Sequence, residues 1–185
     1  MQLLSIGINV STPARDKILF TAHDLFYQNG IRATGIDRLI KDAQVSKRTF
    51  YRYFPSKEGL IIEYLKLRHR NWLAWFSARI AHYGDTPLAI SHAINEWFAC
   101  DGFRGCAFLN SVGELGEEMP AVNEITRQHK QGVVDLIYAI VGCKVKANAI
   151  GVAIDGAILR AQFDSTSEHA ERAFEYLISQ FAEQN

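Results

Sequence analysis

Apolar positions recur every three or four residues through most of the chain from Pro13 onward, and no stretch alternates over a convincing strand length, so the pattern predicts an all-α protein. The first periodic stretch follows Thr12-Pro13, a capping residue and a proline in the first helical position. It runs to Asn29 with Ile18, Ala22, Leu25 and Phe26 on one face and Gly30 as its stop. Ile36, Leu39, Ile40 and Ala43 mark a short second helix. Ala43, Gln44 and Val45 make a turn, and Ser46 is placed to cap a third helix through Tyr53, whose Phe50 and Phe54 point inward. Phe54-Pro55-Ser56 then starts a long helix from Lys57 to about His82, carrying Leu60, Ile61, Tyr64, Leu65, Trp72, Trp75, Phe76 and Ile80 at helical spacing. At about 1.5 Å per residue such a helix spans roughly 40 Å, enough to link two halves of a protein mechanically.

The remaining prolines are punctuation. Thr86-Pro87 opens a helix with Ile90, Ala93, Ile94, Trp97 and Phe98 on one face, closed by Asp101-Gly102, and Arg104-Gly105-Cys106 leads into a short one through Leu115. From Pro120 a helix runs to Val141 with Ile125, Val133, Leu136, Ile137 and Ile140 inward, and Gly142 stops it. Between Val145 and Phe163 small residues alternate with isoleucines and few polar positions remain, so this helix needs cover on several sides. With a final helix from Glu168 to about Ala182 it can build half of a four-helix bundle across a two-fold axis. The interface expected there comprises Ile150, Ile154, Ala157, Ile158, Ala161, Phe174, Leu177, Ile178 and Phe181; packing inside one monomer is the alternative. The divisions expected are a tail over residues 1–12, a three-helix domain containing the helix-turn-helix over 13–56, and a helical body over 57–185.

Charge sharpens the reading of the third helix. Net charge is zero over 185 residues, which alone argues against nucleic acid. Residues 1–83, however, hold thirteen Lys/Arg against six Asp/Glu, net +7, and residues 84–185 hold seven against fourteen, net −7. The chain is a charge dipole with a basic end suited to phosphates. The outer face of the third helix carries Lys47, Arg48, Thr49, Tyr51, Arg52 and Tyr53, with no acid between Ser46 and Lys57. Such a face suits a DNA groove.

Three cysteines in no metal-ligand spacing, and no signal peptide, point to a reducing cytoplasm, with no metal or cofactor expected. The longest apolar run, around Ala147 to Leu159, is broken by Asp155 and is too short for a membrane span. No Ser-His-Asp order or phosphate loop supports an enzyme.

The order of parts, and the segment Val-Ser-Lys-Arg-Thr-Phe-Tyr-Arg-Tyr-Phe-Pro-Ser-Lys-Glu-Gly-Leu from Val45 to Leu60, resembles the TetR family of bacterial transcriptional regulators over residues 13–65. Gly105 to Asn110 is similar to a segment found in a subset of that family. The resemblance implies a homodimer that binds a palindromic operator in double-stranded DNA, usually as a repressor, and lets go when a small molecule enters the helical body. It also implies that Lys47, Arg48 and Arg52 read bases and that Thr34, Thr49, Tyr51, Tyr53 and Lys57 contact phosphate and sugar. Gln44 departs from the glycine the family usually places in the turn.

The effector expected is hydrophobic or amphipathic. Trp72, Trp75, Phe76, Trp97, Phe98 and Phe108 are candidates to line its pocket, with Asn110, Glu114 and His129 as placed polar groups. Two other functions compete. Cys106 follows Arg104-Gly105 at a helix start, where a cation and the helix dipole favour thiolate and reactivity toward oxidants or electrophiles. The other is an architectural protein that uses the basic face without sequence preference, with binding that fades steeply as salt rises.

Overall fold

The computed structural model describes residues 13–164 and 166–182, so the expected tail and the predicted cap Thr12 lie outside the described residues. The helices are α1 (Ala14–Asn29), α2 (Ile36–Asp42), α3 (Lys47–Tyr53), α4 (Lys57–His82), α5 (Pro87–Phe98), α6 (Ala107–Leu115), α7 (Pro120–Val141), α8 (Lys144–Phe163) and α9 (Glu168–Ala182). There is no strand among the described residues. They form two compact units, one of residues 13–70 with 107–126 and one of 71–106 with 127–182. The chain therefore crosses from unit to unit inside α4, just before α6, and inside α7.

In the first unit α1 packs on α2 and α3 through Ile18, Leu19, Ala22, Phe26, Leu39, Phe50 and Phe54, all buried. Ser46 caps α3 as expected, its hydroxyl accepting from the Thr49 amide at 3.1 Å. Gln44 takes a left-handed φ of 54°, a conformation that favours glycine and that a side chain holds at a cost of about 1 kcal/mol.

A polar chain ties α1 to the middle of α4. Arg68, only 5% exposed, donates from its guanidinium to His23 Nε2 at 3.1 Å and lies 3.7 Å from the Tyr27 ring centre. A guanidinium can only donate, so the His23 proton sits on Nδ1, facing the Asp24 carboxylate at 3.1 Å. Burial pushes the His23 pKa below its ordinary 6.5, with the Arg68 charge acting in the same direction and Asp24 against it. The unfolded chain therefore binds more protons than the folded one between that lowered value and 6.5. The contribution of His23 to stability is full above this window and is lost as pH falls through it. His23→Gln keeps an oxygen acceptor for Arg68 and cannot titrate. Urea midpoints measured from about pH 7.5 down to pH 5 are expected to fall less steeply for the variant than for the native chain.

In the second unit α9 packs along α8 and α5. Here the expected interface is corrected. Ile150, Ile154, Ala157, Ile158, Phe174 and Ile178 are buried within a single chain, so they hold the monomer together; Ala161 and Phe181 are half-covered and Leu177 is exposed. A helix apolar nearly all round has two faces to cover, and α8 turns its isoleucine face into its own unit. The opposite face, Val145, Ala149, Val152, Gly156, Leu159 and Phe163, spaced by fours and threes, stays outward, with Val152 at 74% and Phe163 at 62% exposure. On α9 Ala173, Tyr176 and Leu177 are likewise outward. The buried face of α7 is also rotated from expectation. It runs through Val122, Thr126, His129, Val133 and Ile137, leaving Ile125, Leu136 and Ile140 half-buried at its flank.

Candidate functional site

With Phe50 fully buried and Ser46 fixing the start of α3, Lys47, Arg48, Tyr51 and Arg52 must project outward, and each is exposed. No acidic residue lies on α3. Arg52 lies over the Tyr53 ring, 4.7 Å from its centre, and donates to the Tyr53 hydroxyl at 3.2 Å. This pre-arranges a guanidinium that retains donors for a bidentate contact. Tyr51 is held edge-on by Phe50 at 5.4 Å. The Thr49 hydroxyl bonds that of Ser46 at 2.8 Å, and Lys47 stands 4.0 Å from Asp37, an exposed pair of little energetic weight.

Two expected phosphate contacts are placed differently. Thr34 is fully buried and its hydroxyl donates to the Gly30 carbonyl at 2.7 Å. Lys57 donates from Nζ to the Ile31 carbonyl at 2.6 Å, and burial lowers its pKa. The Thr34 side chain and the Lys57 ammonium therefore brace the loop between α1 and α2.

That loop is also held from α6, through a residue expected in the effector pocket. Glu114 accepts the Ile31 and Arg32 amides at 3.1 and 2.7 Å, while Arg32 returns bonds to the Glu114 carbonyl at 2.7 Å and the Glu118 carboxylate at 2.6 Å. The Glu114 carboxylate is thus occupied as a clamp on the DNA-binding unit. Nothing local in the sequence signals Arg32, because its partners lie more than 80 residues away.

The aromatic candidates fall into both units. Phe108, Asn110 and Glu114 belong with the helix-turn-helix; Trp72, Trp75, Phe76, Trp97, Phe98 and His129 belong to the other unit. There Trp72 is the hub, with ring centres at 6.2 Å to Trp75, 4.7 Å to Phe76, 5.4 Å to Trp97 and 5.3 Å to His129. Phe103, between α5 and α6, closes on Trp97 and Phe98 at 5.2 and 5.3 Å.

Cys106 is buried, and Lys130 reaches it from α7 with Nζ 3.5 Å from Sγ while also pairing with Asp155 on α8. The turn before it needs glycine. Gly105 has φ 76° and a Cβ there would lie 2.0 Å from the Gln162 side-chain oxygen. No cluster of three or more His, Cys, Asp or Glu residues able to hold a metal occurs among the described residues, and none of the helices searched is long and apolar enough to cross a membrane.

A short capped helix with an acid-free basic face, set on a three-helix core and followed by a helical body, defines a helix-turn-helix DNA-binding protein. Residues 18–64 match the sequence model described as "Bacterial regulatory proteins, tetR family". A curated relative, an HTH-type transcriptional regulator in the lacX 3′ region of Lactococcus lactis subsp. lactis, is 24% identical over 90% of this chain and 92% of its own. Among solved structures, the TetR-family regulator SCO4454 of Streptomyces coelicolor is 27% identical with a TM-score of 0.81, over 92% of this chain and 94% of that one. Reduced Escherichia coli NemR superposes with a TM-score of 0.79 at 22% identity, covering 90% of this chain and 96% of that one. EbrR, a multidrug-binding protein complexed with malachite green, superposes with a TM-score of 0.72 at 18% identity, covering 91% and 97%. The latter two likenesses show a shared fold. Residues 18–64 therefore carry the DNA-binding domain of the tetR family of bacterial regulatory proteins, and along most of its length the chain is similar to transcriptional regulators of that family.

Proposed function

We propose that the protein is a homodimeric repressor that binds a palindromic operator through α3 and releases it when a small hydrophobic or amphipathic molecule occupies the helical body. The observation that carries this reading is the outward, acid-free face of α3, with Arg48 and Arg52 exposed and Arg52 pre-arranged on Tyr53. Arginine pairs bidentately with guanine O6 and N7, while Thr49, Tyr51 and Tyr53 are placed for the backbone. The dimer is built on the outward stripe of α8, from Val145 to Phe163, together with Tyr176 and Leu177 of α9. An apolar stripe of that length, unpaired on one chain, matches its own copy across a two-fold axis. Occupancy of the aromatic body then biases the direction of the second half of α4, which continues into the DNA-binding unit. An effector need only favour the non-binding arrangement by a few kcal/mol. Selecting sites from a random DNA pool with the purified chain is expected to return a palindrome with half-sites about one helical turn apart. A pool without consensus, bound with an affinity that only falls with salt, would support the architectural reading instead.

A second trigger is favoured by the ammonium of Lys130 beside Cys106. The Lys130 ammonium lies 3.5 Å from Sγ, and an alkylating electrophile that enters the body would form an S–C bond at Cys106 as its own bond to the leaving group breaks, iodide departing from iodoacetamide and the thiol proton passing to solvent. Iodoacetamide is then expected to lower operator affinity of the native chain and leave Cys106→Ser bound; equal loss in both would end the thiol reading.

A further inference from the structure

Three buried donors on one face of α4 have no hydrogen-bond partner among the described residues: Trp72 Nε1, Trp75 Nε1 and Arg79 Nε. Positions 72, 75 and 79 are three and four residues apart, so they stand one above another along the helix. Asn95 Oδ1 on α5 is a buried acceptor in the same condition. It lies next in sequence to Glu96, whose carboxylate is 3.5 Å from the other end of the Arg79 guanidinium, which sets α5 against the same end of α4. Native proteins leave few such groups unpaired, and four on adjoining helices mark a place where something else supplies the partners.

The surroundings narrow what that something is. Trp72, itself 5% exposed, packs against Trp75, Phe76 and Trp97, so the walls are aromatic. The Arg79 charge is already balanced by Glu96, so the site does not call for an anion. Three donors and one acceptor require a ligand with more acceptors than donors. We infer that this face of α4, with Asn95, binds a neutral flat aromatic molecule bearing at least two acceptor oxygens and one hydroxyl or amide donor, as in a hydroxylated aromatic ketone. This rests on the proposed effector site and names the chemistry it takes. Trp72 and Trp75 are the specificity residues through their N–H groups, and the rings around them select for a flat apolar frame.

The chain has three tryptophans, Trp72, Trp75 and Trp97, and all belong to this cluster, so intrinsic fluorescence reports on the site directly. We would titrate the full chain with 6-hydroxy-1-tetralone and 6-hydroxy-2-acetonaphthone, and with tetralin and 2-ethylnaphthalene as hydrocarbons of matched size. Calorimetry provides the second readout. The oxygenated members are expected to bind at least about tenfold more tightly than their hydrocarbons, the discrimination one well-made buried hydrogen bond provides. Trp75→Phe and Asn95→Leu keep an apolar side chain and remove one orphan each. Each is expected to lower affinity for the ketones roughly tenfold while moving the hydrocarbons less than about twofold, with melting temperature unchanged or raised. No binding by any member below about 1 mM, or equal binding of ketones and hydrocarbons unaffected by either variant, would overturn the assignment. Operator release is scored separately. Ketones that bind with the expected selectivity and leave the protein on DNA would uphold the site and refute the release mechanism.

Discussion

Arg52→Ala is expected to reduce operator affinity by about 5- to 150-fold per half-site, since a bidentate arginine–guanine pair contributes about 1–3 kcal/mol of discrimination. In a two-fold complex the loss is incurred twice, so the observed Kd should rise by at least about 25-fold. The guanidinium is exposed and its partner within the chain is the neighbouring Tyr53, so folding is expected to be untouched, with a change within about 0.5 kcal/mol. Fluorescence anisotropy at one fixed salt concentration, against the selected operator and against DNA carrying single base changes, separates the two roles a basic residue can have. A base reader loses preference at one position of the half-site. A phosphate contact weakens all sequences alike and flattens the salt dependence. Arg48→Ala is the companion measurement. If both variants keep the full base preference of the native chain, α3 does not read sequence through these side chains.

The second large effect concerns α8. Leu159→Glu places a carboxylate in the outward stripe, and in a two-fold dimer the charge occurs twice in one apolar interface. Burying it unpaired costs several kcal/mol, so the variant is expected to sediment as a monomer at concentrations where the native chain is dimeric. Leu159 is exposed in the single chain, so circular dichroism and the melting transition of the monomer should be retained. Ile154→Glu is the contrasting substitution. Ile154 is buried within its own unit, and the same change there is expected to unfold the body. If Leu159→Glu remains dimeric, the partner docks elsewhere. The monomer should also lose the operator, because one half-site supplies only half the contacts of the palindrome.

Helix positions and limits were legible because their determinants are local. Ser46 and Thr86 cap through their own hydroxyls, and Gly30 and Gly142 take the positive φ that ends a helix, so a few neighbouring residues decide each boundary. The outward face of α3 was legible for the same reason, once Phe50 and Phe54 were assigned inward. Periodicity identifies which residues share a face but not which element covers it. In α8 two apolar faces compete, and only the position of α9 decides that Ile150, Ile154 and Ile158 turn in while Val152, Leu159 and Phe163 turn out. Thr34 and Lys57 illustrate a different difficulty. A hydroxyl and an ammonium beside a DNA-binding helix fit phosphate equally well on paper, and the unsatisfied carbonyls of Gly30 and Ile31 claimed them first. The Arg32 clamp was invisible because its two halves are separated by the whole of α2 to α5.

That clamp means the reading head is not an exchangeable cassette. Grafting residues 13–56 onto another regulator would leave behind Glu114 and Glu118, stripping the Ile31 and Arg32 amides of their acceptor and freeing the loop that sets α1 against α2. A working chimera must carry residues 107–126 with the head, or rebuild an equivalent carboxylate on the recipient's own sixth helix.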